Sequence, residues 1–108
     1  MRENLIQELV NFCKVQGISG REERIRELLI SSLPDGVEYQ VDNLGNLIVE
    51  VGDGERSIAL MAHMDEIGLV ITGINSDGTL NFRKVGGFDD RLLLGAHLDV
   101  VTQNGVID

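Results

Sequence analysis

The first part of the chain repeats apolar residues with a helical period. From Leu5 to Cys13 they recur every three or four positions, which predicts an amphipathic helix that ends near residues 16–17. Ser19 and Glu22 then have the spacing of a capping box, in which both side chains hydrogen-bond amides at a helix start. A second helix is therefore predicted to follow. Its inward positions and its stop are Ile25, Leu28, Leu29, Leu33 and Pro34.

After residue 36 the period changes to two. Apolar residues alternate with polar ones over residues 37–41, and residues 43–46 form a turn signal before the apolar run at 47–51. This pattern predicts a β-hairpin. Residues 57–62 are almost continuously apolar. Such a run is typical of a central strand that is covered on both faces.

Beyond Glu66 the chain has no helical period. Apolar segments separated by turn residues indicate a β-meander that continues up to a turn at residues 103–105. The predicted strands are 67–74, 79–85, 92–94 and 98–101, with a turn at 75–78. The change of pattern predicts a domain boundary just after Glu66, between residues 1–66 and residues 67–108.

The composition argues against nucleic-acid and membrane partners. Lys and Arg number 9 against 18 Asp and Glu, and the net charge of −9 opposes binding to nucleic-acid phosphates and anionic lipids. No apolar run approaches the roughly 20 residues that span a bilayer, and the first four residues lack a signal-peptide pattern. We therefore expect a cytoplasmic protein with no nucleic-acid or membrane partner.

The single cysteine, Cys13, lies in the apolar stripe of the first predicted helix. It cannot form an internal disulfide, and free cysteine in such a stripe behaves as a small hydrophobe. We expect a position in the core rather than a reactive thiol.

The candidate chemistry lies at the end of the predicted central strand. His63 and Asp65 are two residues apart, and such residues project to the same side of an extended backbone. Imidazole nitrogen is a favoured zinc ligand, and a carboxylate that holds the other ring nitrogen fixes the tautomer and orientation of the ring. The pair fits a metal ligand with its orienting partner. By itself the tripeptide is more typical of a strand-capping histidine beside a solvated aspartate.

Three segments together resemble a known family. Residues 58–68, Ile-Ala-Leu-Met-Ala-His-Met-Asp-Glu-Ile-Gly, resemble the first metal-site motif of the tetrahedral glutamyl aminopeptidases, which are dinuclear-metal peptidases. Residues 17–20 with Glu22 and Arg26 look like the first helix–turn–helix element of that family. Residues 42–47 look like its Asp-x-Leu-Gly-Asn turn.

The resemblance implies roles and a reaction. In that family the histidine of the motif binds a catalytic metal, and the aspartate two residues later orients the histidine and supports catalysis. These roles carry over to His63 as metal ligand and Asp65 as catalytic residue. The implied function is a metal-dependent aminopeptidase that hydrolyses amino-terminal residues from peptides with metal-activated water. Two divalent ions, zinc or cobalt, and a homo-oligomer that builds from dimers to a dodecamer are also implied.

The fold class implied is α/β. Residues 1–66 correspond to the amino-terminal part of the metallopeptidase domain, with two helices packed on a mixed β-sheet. Residues 67–108 correspond to the start of a β-rich, PDZ-like dimerisation domain. Within it, residues 85–89 look like the Gly-Gly segment of the family.

The chain contains only the first histidine of the ligand set that the resemblance implies. Asp89-Asp90-Arg91 mimics the sequence around the bridging aspartate of the family, and His97 repeats the His-x-Asp spacing. Their place after the Gly-Gly segment favours structural or solvated roles. A metal-binding role for Asp89, Asp90 or His97 stays open at this point.

Two other function classes are alternatives. With one ligand histidine the chain could be a non-catalytic fragment or an oligomerisation module, since metal sites use at least three protein ligands. A glycoside hydrolase of the endoglucanase type is a further alternative, because two carboxylates can support that reaction. Carbohydrate sites usually offer aromatic platforms, however, and the chain has Phe 3 times, Tyr once and no Trp.

Overall fold

A computed structural model describes residues 2–107, with side-chain exposure given for residues 4–107. Residues 1 and 108, the first and last residues of the two predicted domains, lie outside the described range. Two helices come first, α1 at Arg2–Phe12 and α2 at Glu23–Ser31. The strands are β1 Tyr39–Val41, β2 Leu47–Val49, β3 Gly68–Ile74, β4 Leu80–Val85, β5 Val100–Thr102 and β6 Gly105–Ile107. Both predicted helices are confirmed, although α1 ends earlier than its apolar period suggests.

The strands of the described residues form three separate two-stranded sheets. β1 pairs with β2, β3 with β4 and β5 with β6, each pair antiparallel. The chain is therefore an α/β structure with two helices and small antiparallel sheets. The predicted mixed sheet is wrong, because each described strand pairs only with its neighbour in sequence. A short connection permits antiparallel pairing, whereas parallel strands need a long crossover.

Residues 57–62 do not form a strand, which corrects the sequence-based prediction. Their large apolar side chains are almost fully exposed: Ile58 by 89%, Leu60 by 94% and Met61 by 92%. A central strand needs hydrogen-bonding neighbours at both edges and apolar cover on both faces. No strand of the described residues pairs with this segment, so its apolar pattern lacks the partner that would make it a strand.

Ile25 in α2 is the one buried large apolar side chain in the described range, with 7% exposure. It lies beside Gly17, where a Cβ atom would come 3.1 Å from Cγ2 of Ile25 and 3.9 Å from the Met64 carbonyl oxygen. The other inward positions predicted for α2, Leu28, Leu29 and Leu33, are partly exposed. The small size of Gly17 therefore lets the loop before α2 approach Ile25 of α2, and the Met64 carbonyl next to the candidate site lies nearby.

The apolar stripe of α1 is exposed. Leu5, Ile6 and Leu9 are 66%, 62% and 61% exposed, and Cys13 just beyond the helix is also exposed. The predicted core position of Cys13 is therefore wrong. An amphipathic stripe is buried only where another element covers it, and none of the described elements covers this one. Within the described range, neither α1 nor α2 has the length and apolar content of a membrane-crossing helix.

The chain divides into two compact units, of which the first ends at Asp65 and the second begins at Glu66. In the second unit β3 and β4 form a hairpin, as predicted from the turn signal at residues 75–78. Their register shifts between Ile71 and Gly73. Such an irregularity bends a strand locally without ending the ladder.

The segment after β4 differs from the prediction. Residues 92–94 are predicted as a strand, whereas Asp90–Leu93 form a 3₁₀ helix. The Asp89 carboxylate accepts hydrogen bonds from the Arg91 amide at 3.0 Å and from the Arg91 Nε at 3.0 Å. This local side-chain bonding to the backbone outweighs the apolar pattern. β5 and β6 then pair around residues 103–104, where the sequence predicts a turn.

Candidate functional site

His63 and Asp65 meet at the carboxyl end of the first unit. Nδ1 of His63 lies 2.8 Å from Oδ1 of Asp65 and 3.1 Å from the Asp65 backbone carbonyl oxygen. The His63 side chain is 86% exposed and that of Asp65 is 36% exposed. Because the residues are only two apart, the local backbone is sufficient to bring them together. The two residues that the sequence singles out are thus in direct contact.

The second carboxylate oxygen of Asp65 has a partner from a distant part of the chain. The Ser19 hydroxyl donates a hydrogen bond to Oδ2 of Asp65. The two residues are separated by 46 positions in the sequence, and no local pattern connects them. For that reason, this contact could not be predicted from the sequence.

The predicted capping box is wrong. Glu22 is the residue immediately before α2, and its side chain makes no cap. The Glu22 carboxylate instead accepts a hydrogen bond from the Gly20 amide at 2.7 Å. The Ser19 hydroxyl is engaged by Asp65, so it is not the residue that caps α2.

Hydrogen bonds to both oxygens favour the ionised form of Asp65. The bond from the Ser19 hydroxyl is the largest cause of a lowered Asp65 pKa, followed by the bond from the His63 ring. A carboxyl group that accepts hydrogen bonds in its charged form loses its proton more easily. Asp65 is therefore a charged acceptor for the His63 ring at neutral pH.

The His63 ring has a second nitrogen that can bind a metal. With Nδ1 held by Asp65, Nε2 is the candidate ligand atom, and a carboxylate behind the ring suits that arrangement. A zinc site needs at least three protein ligands. Among residues 2–107 no group of three or more His, Cys, Asp and Glu side chains is arranged to hold a metal ion. The described residues fit one ligand and do not fit a whole metal site.

Asp89, Asp90 and His97 lie in the second unit. Hydrogen bonding to the Arg91 side chain lowers the pKa of Asp89, and Asp90 forms an ion pair with Lys84. His97 is exposed. The ion pairs with Arg91 and Lys84 indicate structural roles for Asp89 and Asp90. Their sequence context favours the same roles.

The sequence of this chain matches a known protein family. The sequence model of the M42 glutamyl aminopeptidases matches residues 45–108, a range that includes both His63 and Asp65. The chain belongs to the M42 glutamyl aminopeptidase family. The resemblance to glutamyl aminopeptidases drawn from the sequence is thereby confirmed.

Similar proteins include solved and curated relatives of this M42 chain. A structure of the Pyrococcus horikoshii TET1 peptidase, which can assemble into a tetrahedron or a large octahedral shell, is 59% identical with a TM-score of 0.90 over 95% of this chain. A predicted aminopeptidase of Acetivibrio thermocellus is 42% identical over 97% of this chain. The lysyl aminopeptidase of Pyrococcus furiosus is 34% identical over 82% of it.

The chain spans between a quarter and a third of the length of these relatives. It covers 31% of the Pyrococcus horikoshii chain, 32% of the Acetivibrio thermocellus protein and 26% of the Pyrococcus furiosus protein.

Proposed function

We propose that this chain is part of a metal-dependent aminopeptidase in which His63 is a metal ligand and Asp65 orients it. The observation that carries the proposal is the 2.8 Å contact between Nδ1 of His63 and Oδ1 of Asp65. A carboxylate at Nδ1 favours the tautomer that keeps the Nε2 lone pair for a metal. Relatives named as aminopeptidases support the same reaction class.

Two divalent ions, zinc or cobalt, belong to the proposed complete site. When bound, such ions polarise the carbonyl of the scissile peptide bond and activate water for its hydrolysis. In this chain, His63 would contribute one ligand atom, and Asp65 would hold the ring and its proton. The remaining ligands would come from other polypeptide, since residues 2–107 contain no converging group of three. The substrates proposed are peptides with a free amino terminus.

The two units correspond, in this proposal, to parts of two domains. Residues 1–66 are the amino-terminal part of the catalytic domain, and residues 67–108 begin a PDZ-like dimerisation domain. The hairpins β3–β4 and β5–β6 support a β-rich second domain. A homo-oligomer that builds from dimers to a dodecamer is proposed on the likeness to the TET1 peptidase, which has been solved as a dodecamer and can assemble into a tetrahedron or a large octahedral shell.

Replacement of His63 by alanine tests the metal-ligand assignment. In a full-length aminopeptidase that contains this segment, we expect His63→Ala to lower the hydrolysis of aminoacyl amides by more than the roughly 10- to 100-fold that losing an orienting partner costs. The reason is that His63→Ala removes the atom that binds the metal, whereas loss of the orienting partner leaves that atom in place. Initial rates and the metal content after dialysis are the measurements.

His97→Ala is the matched control, because His97 is exposed and lies in the other unit. It should leave both the rates and the metal content unchanged. Circular dichroism should show an intact fold for His63→Ala, since truncating a side chain that is 86% exposed leaves no cavity. Full activity and full metal content in His63→Ala would overturn the assignment.

A further inference from the structure

The local backbone holds Ser19 in a defined position. The Arg21 amide donates a 2.8 Å hydrogen bond to the Ile18 carbonyl, which closes a turn over residues 18–21. Gly20 is the third residue of this turn and has a φ of +83°. A type II turn requires such a left-handed conformation at that place, and glycine adopts it without strain. Ser19 is the second residue of the turn, so its hydroxyl is presented from a rigid backbone.

One hydrogen bond and one close approach lie beside the turn. The Gly20 amide donates to the Glu22 carboxylate at 2.7 Å, directly before α2. Gly17 is buried beside Ile25, and a Cβ atom at Gly17 would lie 3.9 Å from the Met64 carbonyl oxygen. The turn is thus hydrogen-bonded to the residue directly before α2, and Gly17 before the turn lies close to the backbone before Asp65.

The two carboxylate oxygens of Asp65 have different partners. Oδ2 accepts from the Ser19 hydroxyl, and Oδ1 lies 2.8 Å from Nδ1 of His63. A carboxylate on a partly exposed side chain can rotate and exchange either oxygen with water. A fixed partner at Oδ2 restricts that rotation and keeps Oδ1 against the ring, because hydrogen bonds in such a chain support one another.

We propose that Ser19 is a positioning residue, which holds the Asp65 carboxylate so that His63 keeps its proton on Nδ1 and its lone pair on Nε2. The proposal rests on the function inferred above for His63. Ser19 acts only through Asp65 and needs no contact with substrate or metal. This contact also explains a serine at this turn better than helix capping does, since Glu22 directly precedes α2.

Histidine tautomers measured in the 108-residue chain test the proposal. Long-range proton–nitrogen correlation spectra of chain labelled with nitrogen-15 at histidine report which ring nitrogen carries the proton of the neutral ring. A chelator keeps the sample free of metal. We expect His63 in the native chain to carry its proton on Nδ1. In Ser19→Ala its spectrum should shift part of the way toward the tautomer ratio of histidine in a flexible peptide, because the Asp65 backbone carbonyl, 3.1 Å from Nδ1, still accepts from the ring.

Internal and matched controls come from the same chain. His97 is the second of the 2 histidines, lies in the other unit and should not change. Ser19→Thr keeps the hydroxyl and should retain the native tautomer. Ser32→Ala removes a hydroxyl of the same unit that donates to the Leu28 carbonyl at 2.9 Å, and it should leave His63 unchanged. Ser19→Cys keeps the size with only a weak donor, so it tests the hydrogen bond if alanine disturbs the turn.

The outcomes distinguish an effect of the Ser19 hydroxyl on the His63 tautomer from an effect of the shape of the turn. Retention of the native His63 tautomer in both Ser19→Ala and Ser19→Cys would overturn the proposal. An equal shift in Ser19→Ala and Ser19→Thr would also overturn it, because the hydroxyl would then not be the cause. The spectra do not depend on peptide hydrolysis. Failure of the aminopeptidase assignment would therefore appear in the His63→Ala rates and not in the Ser19 spectra.

Discussion

At the scale of single residues, the neighbouring glycines Gly86 and Gly87 meet different constraints. Gly86 has a φ of +85°, and a Cβ atom there would lie 2.7 Å from Cγ2 of Ile67 and 3.5 Å from its Cα. A Cβ atom at Gly87 would meet no atom within 4 Å. The left-handed backbone and the close approach of Ile67 therefore require glycine at the first position only.

Gly86→Ala should destabilise the second unit, whereas Gly87→Ala should not. The left-handed conformation costs an alanine about 1–2 kcal/mol, and the overlap with Ile67 adds to that cost. Gly87→Ala should stay within about 0.5 kcal/mol of the native chain, as surface substitutions usually do. Amide hydrogen exchange of β3 and β4 measures the free energy of opening in each variant. Equal effects of the two substitutions would contradict this account of Gly86.

At the scale of elements, the β1–β2 hairpin depends on one carboxylate in its turn. Asp42 accepts hydrogen bonds from the Leu44 amide at 2.9 Å, the Asn46 amide at 2.9 Å and the Asn46 side chain at 2.7 Å. These bonds, that of the Asn46 side chain first, lower the pKa of Asp42. The Arg26 guanidinium donates to the Gly45 carbonyl at 3.2 Å, which links the same turn to α2.

Asp42→Ala should weaken the β1–β2 hairpin at neutral pH and much less in acid. The Asp42 pKa is lowered in the folded chain, whereas the unfolded chain has the ordinary value of about 3.9. The stabilisation is therefore present above about pH 3.9 and is lost as the pH falls through the lower folded-state value. Tyr39 in β1 is the single tyrosine, and the chain has no Trp. The fluorescence of Tyr39 during urea unfolding therefore reports on this hairpin.

Asp53→Ala is the control for the hairpin experiment. Asp53 is exposed and lies beyond β2, so its replacement should leave the urea midpoint of the Tyr39 signal unchanged across the same pH range. A difference between Asp42→Ala and the native chain that stays constant from neutral pH into acid would exclude the carboxylate as the cause.

At the scale of the whole molecule, acidic groups are many, but those among residues 2–107 do not converge on one point. The net charge of −9 attracts divalent cations over the whole surface. Tight binding needs several ligands around one ion, and the described residues contain no such group. The contact of His63 with Asp65 indicates a ligand role for His63.

Calorimetric titration of the 108-residue chain with zinc should therefore show no pair of tight sites. Weak binding that depends on His63 is expected, because one imidazole and its carboxylate offer too few ligands. His63→Ala should remove that weak signal, and His97→Ala should leave it. Tight binding of two ions that is lost in His97→Ala or Asp89→Ala would show that the second unit takes part in metal binding.

The sequence by itself determined the features whose partners are near in the chain. The helices α1 and α2 and the hairpins β1–β2 and β3–β4 follow from apolar periods and turn signals within short segments. The contact of His63 with Asp65 needs a spacing of only two residues. In each case the interacting groups lie within one turn or one hairpin, so the local pattern contains the necessary information.

Tertiary structure decided the features whose partners are distant. Residues 57–62 have the composition of a central strand, but none of the described strands pairs with them. Cys13 follows an apolar stripe, yet it is exposed because no described element covers it. Ser19 has the spacing of a helix cap, whereas its hydroxyl is bound by Asp65, 46 positions away. A periodic pattern states which side chains can be buried or bonded, and only the packing of distant segments decides which partner each one finds.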